Sequence, residues 1–193
     1  HPIMMSVFWN ITPEDVTFVA TDTHKLVRYT NSRIQTGVED SFIIPTKPAN
    51  ILKSVLVKAE GDVKVSTDAK GAIFESSSFT LSCRFVNGTY PKYNSVIPQN
   101  NPYKLVVDRV SLLNAIRRVS VFANASGLVI FQLKENEIYM KAEDREFSTM
   151  AEERMSCDYQ GEEMLIGFNN TKMIDVLNNI NSDTLVVTLS GPS

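Results

Sequence analysis

Hydrophobic and polar residues alternate over several short stretches of the chain, and a period of two is typical of β-strands. The first two such stretches are residues 6–11 and 16–20, which are joined by a turn at residues 12–15. A hairpin is predicted further along, with arms at residues 72–74 and 79–86. Single strands are predicted at residues 41–44, 128–133, 137–142, 164–166 and 185–189, and another begins at Val63.

Three other stretches place apolar residues three and four positions apart, which is the spacing of an amphipathic helix. They are residues 47–59, 109–122 and 170–180. Thr46 is predicted to cap the first helix and Asp108 the second, because both side chains can accept hydrogen bonds from amides of the first helical turn. Together the elements predict an α+β protein in which helices cover one face of antiparallel sheets.

The order of the predicted elements repeats along the chain. A shift of 122 positions places the elements after residue 4 on those after residue 126, without a gap. It aligns residues 7–11 with 129–133, 18–22 with 140–144, and 42–44 with 164–166. A period this long indicates a duplicated domain of about 120 residues rather than a solenoid of short repeats.

The repeat also predicts where the domains lie. A linker is predicted at about residues 99–104, so the two domains are expected at residues 1–98 and 104–193. The helix at residues 109–122 has no counterpart before the first residue, and the hairpin has none after the last. We therefore expect one repeat without its beginning and one without its end.

Charge is distributed unevenly over these elements. The net charge is −3, so nucleic-acid binding cannot rest on overall basicity. The three predicted helices nevertheless hold seven Lys or Arg residues against one acid, Asp175, while the remainder holds 12 cations and 21 acids. The seven are Lys47, Lys53, Lys58, Arg109, Arg117, Arg118 and Lys172. Solvated helix surfaces are one explanation; the exclusion of acids favours the other, a salt-sensitive surface that binds phosphates without reading bases.

Composition narrows the class of protein. A content of 43% hydrophobic and 21% charged residues is ordinary for a packed, soluble protein. No apolar run approaches the ~18 residues of a membrane span, and the start of the chain lacks the layout of a signal peptide. Cys83 and Cys157 do not form a CxxC pair, and they are predicted to be buried, reduced thiols of a cytoplasmic protein.

Candidate catalytic chemistry is sparse. The chain has no GxxxxGK[ST], GxGxxG, HExxH or GxSxG motif. Asp22 and His24 could act as a base and its orienting group, but only if their side chains converge. No second polar cluster offers a nucleophile, so a hydrolase is the less favoured hypothesis. No catalytic residue, metal site or cofactor is predicted.

Three stretches resemble one known family. Residues 19–26 (VATDTHKL) are similar to its segment ATDGHRL, and residues 90–98 (YPKYNSVIP) to its segment FPDYxxVLP. Residues 163–169 (EMLIGFN), followed by MIDVL at residues 173–177, resemble its segment EIGFN…YLLDVL. The family is the bacterial DNA polymerase III beta subunit, the sliding clamp, and the resemblance covers essentially the whole chain.

The resemblance implies the DNA clamp fold and a role in DNA replication. Members of that family close head to tail, as homodimers of three-domain subunits, into a ring around duplex DNA. Helices line the hole, and the ring tethers a polymerase as a processivity factor without catalysing a reaction. Our first repeat would be the middle domain without its first strand and helix, and our second the third domain without its C-terminal strands. The alternative is a non-clamp α+β module, with a duplicated domain, that binds a nucleic acid or a protein.

Site residues are implied by the same resemblance. A groove for linear motifs of the DNA polymerase III alpha subunit, the clamp loader and repair polymerases would include Met4, Thr21, Thr23, His24, Lys25, Leu26, Pro91, Ser95 and Val96. Residues that face double-stranded DNA would be Lys47, Lys53, Arg117, Arg118 and Lys172. Val121 and Phe122 would lie at the subunit interface, unless they merely end a buried helix face.

Two residues depart from the family pattern. Thr23 replaces the usual Gly, which is expected to alter the backbone or to narrow the groove, and Ser95 stands where a basic residue is often found. The turn at residues 21–26 also has a second copy at residues 143–148, in which the aspartate recurs but the histidine and the leucine do not. The aspartate is therefore predicted to be architectural, and His24 to serve one domain only.

Overall fold

The structure is a computed structural model that describes residues 2–192. The chain forms two compact units; the first ends at Asn94 and the second begins at Ser95. All paired strands run antiparallel. No helix within residues 2–192 is both long and apolar enough to cross a membrane.

The first unit contains two sheets and one helix. Its elements are β1 Val7–Ile11, β2 Val16–Thr21, β3 Leu26–Asn31, β4 Asp40–Ile44, α1 Thr46–Leu56, β5 Lys64–Thr67, β6 Gly71–Glu75 and β7 Thr80–Arg84. One sheet has the strand order β3-β2-β1-β4, and the other has the order β5-β6-β7. A short 3₁₀ helix, Tyr93–Ser95, follows.

The second unit also contains two sheets, with two helices. Its elements are β8 Tyr103–Asp108, α2 Arg109–Ser120, β9 Leu128–Lys134, β10 Glu137–Asp144, β11 Thr149–Ser156, β12 Asp158–Gln160, β13 Met164–Asn169, α3 Asn170–Asn178 and β14 Thr184–Leu189. The strand orders are β11-β10-β9-β13 and β12-β8-β14. The first of these repeats the order β3-β2-β1-β4, which confirms the predicted duplication.

The gapless alignment of the two copies is wrong by two residues. Strands β1 and β2 pair in the same register as β9 and β10 after a shift of 122. The pair Trp9–Phe42 between β1 and β4, however, corresponds to the pair Phe131–Ile166 between β9 and β13, which places β13 124 positions after β4. The register of β11 on β10 carries the same offset, so two residues are inserted in the β10–β11 hairpin. An insertion of two leaves the alternation of faces unchanged, which is why the sequence pattern did not reveal it.

Each unit has a core in which a helix packs on one face of a sheet, as predicted. In the first unit, Leu52 of α1 packs with Phe42, Ile44 and Phe74. In the second unit, Ile116 of α2 belongs to a larger cluster. That cluster includes Leu112, Val119, Leu133, Ile138 and Met140, each at most 1% exposed. Burying such side chains contributes roughly 1.5–3 kcal/mol each, which makes these clusters the main source of stability.

The two predicted helix caps have different outcomes. Asp108 caps α2, because its carboxylate accepts a hydrogen bond from the amide of Ser111 at 2.7 Å. Thr46 does not cap α1; it is the first helical residue, and Pro45 precedes it without a side-chain cap bond. The hydroxyl of Thr46 instead donates to the carbonyl oxygen of Met5, so it ties the helix start to the segment before β1.

Four strands were not predicted: β3, β8, β11 and β12. In β3 every residue is at least partly exposed, so the strand lacks the alternation on which the prediction depends. The predicted linker at residues 99–104 is wrong at its end, because β8 already begins at Tyr103. The placement of the domain boundaries at residues 98 and 104 stays a prediction.

The cysteines are both free thiols. Cys83 is buried in the core of the first unit, as predicted. Cys157 is only half-buried, so the prediction of a fully buried thiol is wrong there; it lies at the junction of two edge strands, β11 and β12. Burial raises the pKa of both thiols.

Candidate functional site

The turn between β2 and β3 is built around the carboxylate of Asp22. One oxygen, Oδ1, accepts hydrogen bonds from the amides of His24 at 3.0 Å and Lys25 at 2.8 Å. The other, Oδ2, lies 2.6 Å from the Lys25 ammonium. The Lys25 side chain, together with these amides, holds the pKa of the Asp22 carboxyl well below its usual range. Asp22 is therefore a fixed anion that organises the turn.

His24 and Asp22 do not form a base with its orienting group. The bonds of the Asp22 carboxylate go to two backbone amides and to Lys25, and His24 contributes its backbone amide rather than its ring. The His24 side chain is exposed at the tip of the turn. The arrangement gives the imidazole no anchored geometry for proton transfer.

Two threonines complete the turn. The hydroxyl of Thr21 donates to the carbonyl oxygen of Lys25 at 2.8 Å and accepts from the amide of Thr23 at 3.1 Å. Thr23 itself has φ +73°, in the left-handed region that favours glycine. The substitution of Thr for Gly therefore does not remove the glycine-like backbone conformation; it adds a side chain to it.

The second copy of the turn confirms that the aspartate is architectural. Asp144 Oδ1 accepts from the amides of Glu146 at 2.9 Å and Phe147 at 3.2 Å, the same pattern as Asp22. Here the left-handed residue is Ser148, with φ +52°. The position of Thr21 is taken by Glu143, whose carboxylate pairs with Arg145 and Lys141, and these cations lower its pKa.

Leu26 connects the turn to the rest of the first unit. Its side chain packs against a cluster that includes Val19, Ile43 and Tyr90. Ile3 packs against the same cluster, so the neighbours of Met4 and Pro91 are brought to the base of the turn. The Tyr90 ring stacks on Phe8 with centroids 4.9 Å apart.

The remaining predicted groove residues lie in connecting segments. Met4 is half-buried, while Pro91, Ser95 and Val96 are exposed. The carbonyl oxygen of Pro91 accepts from the amide of Tyr93 at 2.7 Å, at the start of the 3₁₀ helix. Their membership of one groove with the turn stays a prediction.

The cations predicted to face DNA differ in their surroundings. Lys47 and Lys53 are exposed on α1, and Lys172 is half-buried in the first turn of α3. Lys58, which the sequence placed in the first helix, lies beyond its end at Leu56.

Three arginines of α2 contact other parts of the second unit. Arg109 donates to the carbonyl oxygens of Ser182 at 2.8 Å and Leu177 at 3.2 Å, so it fixes the end of α3. Arg117 Nη2 donates to the side-chain oxygen of Asn178 at 2.8 Å.

The guanidinium of Arg118 forms a two-pronged pair with Glu153 of β11, in which Nε is 3.0 Å from Oε2 and Nη2 contacts Oε1. Glu153 raises the pKa of Arg118. The Arg118 side chain is still 62% exposed, so it has a neutralising partner and an open side at once.

Val121 and Phe122 follow the end of α2. Val121 is 77% exposed and Phe122 is 39% exposed. The alternative that both residues end a buried helix face is therefore wrong for Val121. Their place in a subunit interface stays a prediction.

No group of three or more His, Cys, Asp or Glu side chains within residues 2–192 is arranged to hold a metal ion.

Comparison with known families gives a match for each unit. The family described as the DNA polymerase III beta subunit, central domain, matches residues 1–92. The family described as the C-terminal domain of the same subunit matches residues 94–193. The two matches are consecutive and together cover nearly the whole chain.

Individual relatives agree with these matches. The beta sliding clamp of Staphylococcus aureus is 26% identical over 193 residues, which are 99% of this chain and 51% of the relative. The crystal structure of the DNA polymerase III subunit beta from Pseudomonas aeruginosa superposes with a TM-score of 0.91 at 25% identity, over 100% of this chain and 53% of that one. A sliding clamp from Bartonella birtlesii, bound to griselimycin, gives a TM-score of 0.88 at 27% identity, with 99% and 53% covered. The chain thus spans about half the length of the relatives that it matches, and it belongs to the DNA polymerase III beta subunit family of sliding clamps.

Proposed function

We propose that this chain forms part of a sliding clamp, a ring that encircles duplex DNA and keeps a polymerase on its template. The observation that carries the proposal is the pair of consecutive family matches, one on each compact unit. The duplicated architecture supports it, because a ring can be assembled from repeated domains of one shape. Ring closure, homodimer formation and a cytoplasmic location belong to this proposal for the whole protein.

The proposed clamp catalyses no reaction. The geometry of the first turn supports this, since Asp22 is bound to Lys25 and to backbone amides rather than to the His24 ring. A tether around DNA needs no catalytic residue, because its effect comes from topology.

Basic side chains on the helices are proposed to face the DNA. The set is Lys47, Lys53, Arg117, Arg118 and Lys172. Exposure of Lys47 and Lys53 on α1 supports the proposal, as does the open side of Arg118. Such contacts neutralise phosphates without reading bases, which suits a protein that slides. Val121 and Phe122, which leave apolar surface exposed after α2, are proposed to lie at the subunit interface.

A peptide-binding groove is proposed on the first unit around the β2–β3 turn. It would dock linear motifs of the polymerase III alpha subunit, the clamp loader and repair polymerases. Leu26 offers an apolar wall that is already packed in place, Pro91 is exposed, and the Thr21–Lys25 turn forms a polar edge. A few apolar anchors normally supply most of the affinity in such sites.

The clamp proposal is tested by topology. The protein that contains this chain is loaded with a clamp loader onto nicked circular DNA and washed at high salt. A ring is retained on the circle and lost when the circle is cut. The alternative, a module that binds electrostatically, predicts release at high salt from both forms of DNA.

The groove proposal is tested by truncation. Pro91→Ala and Leu26→Ala should weaken binding of a fluorescein-labelled peptide with adjacent Leu and Phe residues about tenfold each, while retention on circular DNA is unchanged. Because Leu26 also packs in a core cluster, its variant is checked by circular dichroism. Equal loss of peptide binding and DNA retention would indicate misfolding, and unchanged peptide binding in a folded Pro91→Ala protein contradicts the groove.

A further inference from the structure

Thr23 is held in a conformation that a β-branched residue rarely adopts. Its φ of +73° brings Cβ close to the following carbonyl, which costs an L-residue other than glycine conformational energy. Such a residue persists only where its surroundings determine the backbone. Here the hydroxyl of Thr21 binds the Thr23 amide, and Asp22 binds the next two amides. Thr23 is therefore strained but fixed.

The second turn shows that this strain is not required by the architecture. Asp144 organises the same pair of amide bonds, yet the left-handed residue there is Ser148, four positions after the aspartate rather than one. The left-handed residue directly after the aspartate is thus peculiar to the first turn. That turn is also the one that carries His24 and the anchored Leu26.

The direction of the Thr23 side chain follows from these constraints. A β-branched side chain has few χ1 rotamers, and the turn around it is closed by hydrogen bonds at Thr21 and Asp22. Thr23 is exposed, so its methyl and hydroxyl groups project at the rim of the turn. A rigid projection of this kind fills space that a glycine would leave open.

We propose that Thr23 is a specificity-determining residue of the peptide site. It narrows the rim so that the site selects linear peptides with a small residue, such as Ala or Ser, beside the apolar anchor, and rejects a bulky residue there. The inference rests on the proposed peptide-binding function and deepens it. Rejection arises from steric overlap with a side chain that cannot move aside without breaking the hydrogen bonds of the turn.

Two labelled peptides test this selection. Both carry adjacent Leu and Phe anchors, and they differ only in the neighbouring residue, which is Ala in one and Leu in the other. Fluorescence anisotropy should show that the unmodified protein prefers the Ala peptide about tenfold. Thr23→Gly should bind both peptides within about twofold. Thr23→Asn should keep the preference, because Asn tolerates the left-handed region and still projects a side chain.

Ser148→Gly is the matched control. It also relieves a left-handed residue after a buried-strand aspartate turn, but in the second unit and outside the proposed site. Both glycine variants should raise Tm, by about 4 °C if each relieves about one unit of strain energy on the usual scale. Only Thr23→Gly should change the peptide preference.

The possible failures are distinct. If Thr23→Gly keeps the tenfold preference, or Thr23→Asn loses it, Thr23 is a strained turn residue without a role in selection, and the peptide site itself stands. If the unmodified protein binds both peptides equally, the inference is also overturned. If it binds neither, the proposed peptide site fails and takes this inference with it, while retention on circular DNA still reports on the clamp.

Discussion

The hydroxyl of Tyr90 is buried beside the turn without a hydrogen-bond partner among the described residues. Its ring is 8% exposed and stacks on Phe8, and burial raises its pKa. An unpartnered buried hydroxyl costs roughly 1–3 kcal/mol. We expect Tyr90→Phe to raise the free energy of unfolding by about 1 kcal/mol, measured by urea denaturation.

Tyr159 is the matched control for that change. It is also buried, at 2% exposed, but its hydroxyl donates to the carbonyl oxygen of Glu162 at 2.8 Å. Tyr159→Phe should therefore lower the free energy of unfolding by about 1 kcal/mol. Two shifts of the same sign would contradict the assignment of Tyr90 as the unsatisfied group.

Asp22 supports the turn through both oxygens, and its two roles can be separated. Asp22→Asn keeps an acceptor for the amides of His24 and Lys25 but loses the ion pair, whereas Asp22→Ala loses both. The Ala variant should unfold more easily by about 1 kcal/mol, as loss of a side-chain bond to the backbone typically does. Asp144→Ala should give a similar loss in the second unit.

The pH dependence of Asp22 has a definite sign. Its pKa is lowered in the folded protein from 3.8, so the carboxylate stabilises the fold above that pH and the contribution is lost as pH falls further. The stability of the Asp22→Asn variant, measured against the unmodified protein, should converge with it only below about pH 4. Convergence near neutral pH would mean that the ion pair with Lys25 contributes nothing.

At the scale of elements, the two hairpins show what a sequence pattern can and cannot contain. Recurrence of the aspartate as Asp22 and Asp144 allowed its architectural role to be predicted, because short-range bonds to the next amides need only local sequence. The two extra residues of the second hairpin were missed, since a slip of two keeps every side chain on its face. The edge strands β3 and β11 were missed because exposed, polar strands carry little alternation.

Glu153 of β11 is expected to restrain the contact of Arg118 with DNA. Its carboxylate occupies one side of the guanidinium, so part of that charge is neutralised within the protein. Glu153→Gln should release Arg118 and steepen the log–log dependence of DNA binding on salt by about 0.9, the value for one added phosphate contact. Loss of the exposed pair should change the free energy of unfolding by at most about 1 kcal/mol.

Glu152→Gln is the control for charge alone. Glu152 is the adjacent residue of β11 and pairs across the sheet with Lys141, whereas Glu153 pairs with the buried Met140. Both changes remove one negative charge, but only one of them frees Arg118. Equal salt slopes for the two variants would mean that net charge, rather than the Arg118–Glu153 pair, governs the effect.

At the scale of the molecule, the fold was largely readable from the chain because it is written twice. Two copies of the same order of elements allowed each weak pattern to support the other, as in β1 and β9. The surroundings of the helix cations were not readable. Arg109 and Arg117 contact Ser182 and Asn178, which are 73 and 61 positions away, and no local pattern contains such pairs. Charge segregation was visible in the sequence, but which charges are already satisfied was not.

Separate cores in the two units make their stabilities separately measurable. Trp9 is the single tryptophan of the chain and packs against Phe18, Phe42 and Phe74 of the first unit, so its fluorescence reports on that unit. Leu133 is fully buried in the core of the second unit. Leu133→Ala should destabilise the second unit by about 2–5 kcal/mol, through lost contacts and the cavity that remains.

The two probes should therefore respond differently to urea. In Leu133→Ala, circular dichroism should show part of the signal lost at lower urea, while the Trp9 transition stays in place. Phe74→Ala, at a site 2% exposed in the first unit, should move the Trp9 transition instead. If Leu133→Ala shifts the Trp9 transition by the same amount as the circular dichroism, the two units unfold as one cooperative body, and the separate cores do not define separate stabilities.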